Sequence, residues 1–269
     1  MSGNVAIIGA GVMGETLLSG LLRSGWKADE LLVGEKRSER AAELRSTYGV
    51  RVLSNSEVVE QAETVVLVVK PQDMLDVLYE ISPYVTRSKL IVSLAAGITT
   101  GFLEDKLSEG VPVVRVMPNT PALVDEGMAA ISPGSHCDEA HLDRVEKLLA
   151  ATGRVVRIPE KQQDAVTAIS GSGPAYLFFV VEAMIEAGVL LGVPRDTATE
   201  LVVQTMVGSA LMLRETGEHP TVLRERVTSP GGTTAAAIRE LEDHKVRAAF
   251  LTAIEAACNR SEELSGGGR

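Results

Sequence analysis

Val5-Ala6-Ile7-Ile8-Gly9-Ala10-Gly11-Val12-Met13-Gly14 decides how this chain is read. Four apolar residues without a polar interruption suit a strand covered on both faces. They run directly into G-x-G-x-x-G, and a helix-like pattern follows from Val12 to Ser24. In that context each glycine has a task. Gly9 permits a tight turn, Gly11 lets the backbone approach a pyrophosphate, and Gly14 lets the helix pack closely on the strand. Unpaired N–H groups at the helix start then face the phosphates. Gly9, Ala10, Gly11, Val12, Met13 and Gly14 are therefore expected to bind a dinucleotide. A glycine turn without a ligand is the bland alternative, and the strand before and helix after it argue against that.

Outward from this stretch the same alternation repeats. Leu31-Leu32-Val33 precedes a charged helix over Ser38 to Tyr48, and a third strand comes before Asn55. Val65-Val66-Leu67-Val68-Val69, Leu90-Ile91-Val92-Ser93-Leu94 and Val113-Val114-Arg115-Val116 follow. Strand then helix, repeated, is the signature of a doubly wound sheet. Beyond Pro159 strand-like runs cease. Helices are expected over Pro174 to Leu191, Asp196 to Thr216, Thr233 to Glu242 and Val246 to Leu264. The fold class is α/β: an N-terminal Rossmann dinucleotide-binding domain, residues 1–160, and an all-helical substrate and oligomerisation domain, residues 161–269. The Pro174 helix carries Glu182 and Glu186 and little else that is polar, so it needs burial on all sides. Subunit association would supply that.

Composition narrows the function class. The net charge of −10 argues against nucleic acid or an anionic membrane surface as partner. Cys137 and Cys258 match no metal or redox spacing, so no metal is expected and a reduced, cytoplasmic protein is the natural reading. Val5–Ile8 is too short for a signal peptide or membrane span. The tail Ser265-Gly266-Gly267-Gly268-Arg269 is expected to fray.

Ligand residues belong at the carboxyl ends of the strands, which line the crevice in open α/β sheets. Glu35 ends the second strand, where a carboxylate accepts ribose hydroxyls of NAD. Lys36 and Arg37 follow at once and could hold the 2′-phosphate of NADP. The two readings compete; the basic pair favours NADPH, with NADH open. Asn55 faces the adenosine end, Val69-Lys70-Pro71 closes the fourth strand, and Ala95-Ala96-Gly97 closes the fifth. Small residues there leave room for the ribose and nicotinamide.

Three further motifs converge: Arg115-Val116-Met117-Pro118-Asn119-Thr120-Pro121, Ser170-Gly171-Ser172-Gly173-Pro174-Ala175-Tyr176, and Val227-Thr228-Ser229-Pro230-Gly231-Gly232-Thr233-Thr234. With the N-terminal glycines, this set resembles the pyrroline-5-carboxylate reductase family from Val5 to about Leu264. The last motif is highly specific; the glycine fingerprint is not. The resemblance implies reduction of a five-membered cyclic imine carboxylate to L-proline, the final step of proline biosynthesis. It implies Thr233 and Thr234 on the substrate carboxylate, with Ser229, Gly231 and Gly232 assisting through hydroxyl and backbone donors. Thr234 also falls near the ring nitrogen as a proton donor or relay, Glu160 at a product contact, and Asn119 or Thr120 beside the carboxamide. Arg226 falls at a cofactor-adjacent position. The family's helical domain pairs between subunits, which implies a dimer or an assembly of dimers, with the active site between a Rossmann domain and partner helices.

Rival readings remain distinct. A β-hydroxyacid dehydrogenase shares the two-domain plan but needs a lysine, and an asparagine four residues on, for acid–base work. Leu177 and Val181 stand at the matching positions. A non-catalytic dinucleotide sensor would have no need of the Ser229–Thr234 loop. A reductase of a related, six-membered cyclic imine stays open, because one methylene changes affinity by only about 1–3 kcal/mol.

Overall fold

A computed structural model describes residues 3–266. Of the tail expected to fray, residues 267–269 lie outside the described residues, whereas Ser265 and Gly266 close the last helix. The chain forms two compact units. The first comprises residues up to Ser172 together with those from Ala257 onward, and the second runs over Gly173–Ala256.

An eight-stranded sheet organises the first unit. Its order is β3-β2-β1-β4-β5-β6-β7-β8, with β1 Val5–Ile8, β2 Leu31–Gly34, β3 Arg51–Leu53, β4 Thr64–Leu67, β5 Leu90–Ser93, β6 Val113–Met117, β7 Gly127–Pro133 and β8 Gly153–Arg157. All neighbours are parallel except β6 and β7. Side chains alternate across the sheet and build a core on each face. Val5 and Ile7 join Leu17, Leu18 and Leu21 of α1 (Val12–Arg23), Leu44 of α2 (Ser38–Tyr48), and Val145 and Leu148 of α6 (Glu139–Leu149). Ala6 and Ile8 join the other layer, with Val58 of α3 (Asn55–Gln61), Leu78 of α4 (Met74–Ile81) and Leu103 of α5 (Thr100–Lys106). Each fully buried Leu or Ile contributes about 1.5–3 kcal/mol, so two continuous layers suffice to fix the sheet.

The sequence reading did not anticipate β7 and β8. The strand β7 is built largely from small residues, and β8 is a half-exposed edge carrying Arg154 and Arg157. Neither presents the apolar run that marks the central strands. The interior strands agree with expectation to within two residues.

The expected domain boundary between residues 160 and 161 differs from the division by compactness, which falls after Ser172. The reason is Gln163 in α7 (Gln163–Val166). It is fully buried, and its amide donates to Ala130 O at 3.3 Å and to Ser132 Oγ at 2.9 Å on β7. A π-helical turn, Thr167–Gly171, follows and stays with the sheet.

The second unit holds α8 (Gly173–Leu190), α9 (Arg195–Thr216), α10 (Pro220–Arg226), α11 (Thr233–Asp243) and most of α12 (Val246–Gly266). The turn after α8 closes through Gly192 and Val193 N–H groups on Val189 and Gly188 carbonyls, and Pro194 opens α9. No residue of α8 is buried, and Phe178 and Phe179 are 68% and 72% exposed. By length and composition the run Glu160–Leu190 could cross a membrane. An apolar helix awaiting a protein partner passes the same test.

Gly14 tests the packing of α1 on β1. A Cβ there would lie 2.1 Å from Gly9 O, a backbone atom that cannot swing aside. Gly14→Ala should therefore cost at least about 2 kcal/mol, read as a lower urea midpoint or loss of soluble protein.

Candidate active site

The phosphate loop is built by the same packing. Gly9 takes φ +97°, a left-handed turn open to glycine. Gly11 caps α1 without any side-chain hydrogen bond, so the first N–H groups of the helix keep free valences. A Cβ on Gly11 would meet nothing within 4 Å. Open space in front of unpaired donors is the cradle a pyrophosphate needs, so the residues present fit a dinucleotide. Val12, 69% exposed, lines the same opening. Sequence reading missed the brace behind it. Arg40 of α2 donates to Ala10 O at 3.2 Å and pairs with Glu15 of α1, which also accepts from Tyr48 at 2.9 Å. Burial works to raise the Glu15 carboxyl, but Arg40 and Tyr48 outweigh it and hold it below its ordinary value.

At the end of β2 the three expected residues are present, each with a partner. Both oxygens of Glu35 are held by Arg37, through its backbone N–H at 2.9 Å and its guanidinium at 3.0 Å. This pair holds the Glu35 carboxyl below the usual range. Lys36 reaches Glu80 of α4 at 2.9 Å. Asn55 is buried and donates to the same Glu80 oxygen at 2.9 Å. Burial works to raise the Glu80 carboxyl; Lys36 and Asn55 outweigh it and hold it down. Glu80 had no signal in the sequence, because its relevance rests on a partner 44 positions away.

Further along the strand ends, Val69 is partly covered, while Lys70 and Pro71 are exposed. Lys70 forms no ion pair among the described residues. Ala95 is buried beside Ser93, Ala96 is exposed, and Gly97 lies against Leu264 O at the end of α12. That end is fastened by Ser261 and Ser265, which donate to Asp164 Oδ1 at 2.6 and 3.0 Å.

Asn119 and Glu160 are occupied in ways the sequence did not announce. Asn119 Nδ2 donates to Ser170 O of the π-turn at 3.1 Å, and its Oδ1 accepts from Met128 N at 2.8 Å. Glu160 accepts from Thr100 N at 2.7 Å, Thr100 Oγ1 at 2.5 Å and the buried Arg115 at 3.3 Å. Both act here as ties within the first unit.

In the second unit, Ser229-Pro230-Gly231-Gly232 enters α11. Gly231 takes φ +70°, and Ser229 O accepts from Gly232 N at 3.0 Å. Gly232, not a threonine, is the N-cap, with no side-chain cap bond. Thr233 and Thr234 are therefore the first helical residues, and their hydroxyls make no hydrogen bond among the described residues. Free hydroxyls and first-turn N–H groups form a donor cluster suited to an anion. Arg226 is engaged by Glu218 at 2.5 and 2.7 Å.

A chain from Corynebacterium melassecola, named pyrroline-5-carboxylate reductase, is 47% identical over 264 residues, covering 97% of this chain and 98% of its own. This chain belongs to the pyrroline-5-carboxylate reductase family. The model described as pyrroline-5-carboxylate reductase dimerisation matches residues 160–264, and one described as NADP oxidoreductase, coenzyme F420-dependent, matches residues 4–97. A solved pyrroline-5-carboxylate reductase from Coxiella burnetii superposes with TM-score 0.94 at 36% identity, covering 98% of this chain and 99% of that one. Another solved member, from Plasmodium falciparum with NADP bound, gives TM-score 0.87 at 31% identity, with 98% of each chain covered. Membership in the pyrroline-5-carboxylate reductase family settles the rivalry with the hydroxyacid dehydrogenases, in line with apolar Leu177 and Val181.

Two variants test this geometry. Gly11→Val fills open space, so urea unfolding should shift little while calorimetry shows loss of NADPH binding; retained affinity would exclude the phosphate-loop assignment. Asn119→Asp turns an acceptor toward Ser170 O and should cost about 2 kcal/mol. That deficit should narrow as pH falls and the new carboxyl regains a proton to donate.

Proposed function

We propose that this chain reduces L-1-pyrroline-5-carboxylate to L-proline with a reduced nicotinamide dinucleotide, NADPH in preference to NADH. The observation that carries the reading is the pair of unengaged Thr233 and Thr234 hydroxyls beside the first-turn N–H groups of α11, in a chain related over almost its full length to named reductases. The bound cofactor supplies hydride to the imine carbon. Gly9 to Gly14 hold its pyrophosphate, and Glu35, Lys36, Arg37 and Asn55 surround its adenosine end. Val69, Lys70, Pro71, Ala95, Ala96 and Gly97 leave room for the ribose and nicotinamide.

Thr233, Ser229 and the Gly231–Gly232 backbone bind the substrate carboxylate in this reading. Thr234 binds it too and donates a hydrogen bond toward the ring nitrogen. A threonine hydroxyl is a weak acid; water or the protonated imine supplies the proton itself. Asn119 enters by holding the π-turn carbonyl and β7 in place. Glu160 enters through the turn it opens, its carboxylate being held by Thr100 and Arg115.

The exposed apolar side chains of α8 support pairing with a second copy, as a dimer or an assembly of dimers. The match of residues 160–264 to a dimerisation model points the same way. Once paired, such a helix needs no membrane, and the reading includes a cytoplasmic location.

The direct test is the loss of reduced-nicotinamide absorbance when the protein meets pyrroline-5-carboxylate, with NADPH and NADH in parallel. Substrate-dependent oxidation is expected with both, faster with NADPH at low concentration. Folded, assembled protein that oxidises neither would overturn the proposal. Thr234→Ala should lower turnover on the order of tenfold to a hundredfold, with NADPH affinity unchanged by calorimetry. Unaltered turnover would remove Thr234 from the site.

A further inference from the structure

The hollow beside the end of β2 has a volume of about 560 Å³ and is lined by Glu35, Lys36, Arg45, Asn55, Glu57 and Glu80. Its charges cancel. Glu35 is neutralised by Arg37, and Lys36 by Glu80. Arg45 is turned to Val52 O at 2.6 Å, while Glu57 caps α3 through Ser54. A doubly charged phosphate entering here meets Lys36 and Arg37 already bound to acids, and Arg45 bonded to a backbone carbonyl. Lys36 is the most readily released, since its side chain is 67% exposed and held by one contact. Glu80 is the anchored partner: it is 31% exposed and also held by buried Asn55.

We infer that Glu80 is a positioning residue for cofactor choice: it competes with the 2′-phosphate for Lys36 and so weakens the preference for NADPH over NADH. The inference rests on the dinucleotide reading of this cleft. It adds a negative contribution from α4, opposed to the favourable one from Lys36 and Arg37. NADH, with only ribose hydroxyls at this position, gains nothing from a released Lys36.

Glu80→Gln isolates the effect. The amide oxygen still accepts from Asn55, so the buried hydrogen bond survives while the charge is removed. Adenosine fragments serve as probes, measured by calorimetry without turnover: 2′,5′-ADP carries the 2′-phosphate and 5′-ADP lacks it. In Glu80→Gln the Kd of 2′,5′-ADP should fall about three- to fivefold, with that of 5′-ADP unchanged. The gain should shrink as salt rises. In a Lys36→Met background the same substitution should give little gain, and the KM ratio of NADPH to NADH should follow the fragment Kd values.

Equal changes for both fragments would mean that Glu80 acts only on the shape of the hollow, and would overturn the inference. So would unchanged 2′,5′-ADP affinity, or a full gain persisting without Lys36. Failure of the native chain to bind either fragment would instead overturn the dinucleotide reading itself, and this inference with it.

Discussion

Everything in the nucleotide-binding half depends on how closely α1 sits on the turn leaving β1. No side-chain atom fits between Gly14 and the Gly9 carbonyl. That proximity sets the start of α1 over the end of β1, where the sheet order departs to β2 on one side and β4 on the other. The crevice of an open α/β sheet lies at such a switch point. Arg40 then ties the loop carbonyl of Ala10 to α2. Free helix-end donors, open space at Gly11 and a braced loop all follow from one steric constraint.

Electrostatics around the crevice follow a different logic. The loop offers backbone dipoles, while Glu35, Lys36, Arg37 and Glu80 near the end of β2 are already ion-paired. Exposed pairs of this kind contribute little to stability, about 0–1 kcal/mol each. Their significance lies in how readily they exchange partners. In α11 the opposite holds. The donors of Thr233 and Thr234 are uncommitted, so an anion there needs no rearrangement of protein charges. In the proposed reading the two anion sites thus differ in kind: at one a cation is released before use, and the other is open.

The parts of this architecture visible in the sequence were those encoded locally. Largely apolar Val, Ile and Leu runs marked the central strands, because burial on both faces leaves few positions for a polar residue. The glycine turn and the Ser-Pro-Gly-Gly-Thr-Thr loop declared themselves by residues whose backbone needs are unusual. What stayed hidden depends on distant partners. The structural ties of Asn119 and Glu160 were not legible because Ser170 and Thr100, which engage them, are 51 and 60 positions away. Glu80 looked like one more acid on a helix surface. The strands β7 and β8 were hidden for another reason: one is filled with small residues, and the other is a charged edge. The division by compactness falls later than the expected limit, where Gln163 buries itself against β7 despite belonging to a helical run.

The serine pair on α12 has a consequence for the order in which the chain acquires its form. Asp164 receives Ser261 and Ser265, so the first unit contains residues 257–266 as well as those up to 172. The second unit is an insertion, joined by two crossings of the backbone. During synthesis, the sheet emerges from the ribosome long before the segment that completes its unit. The π-turn and Asp164 must wait, unlatched, while more than eighty further residues are made. Completion of the sheet therefore does not complete the first unit; the arrival of the end of α12 at Asp164 does.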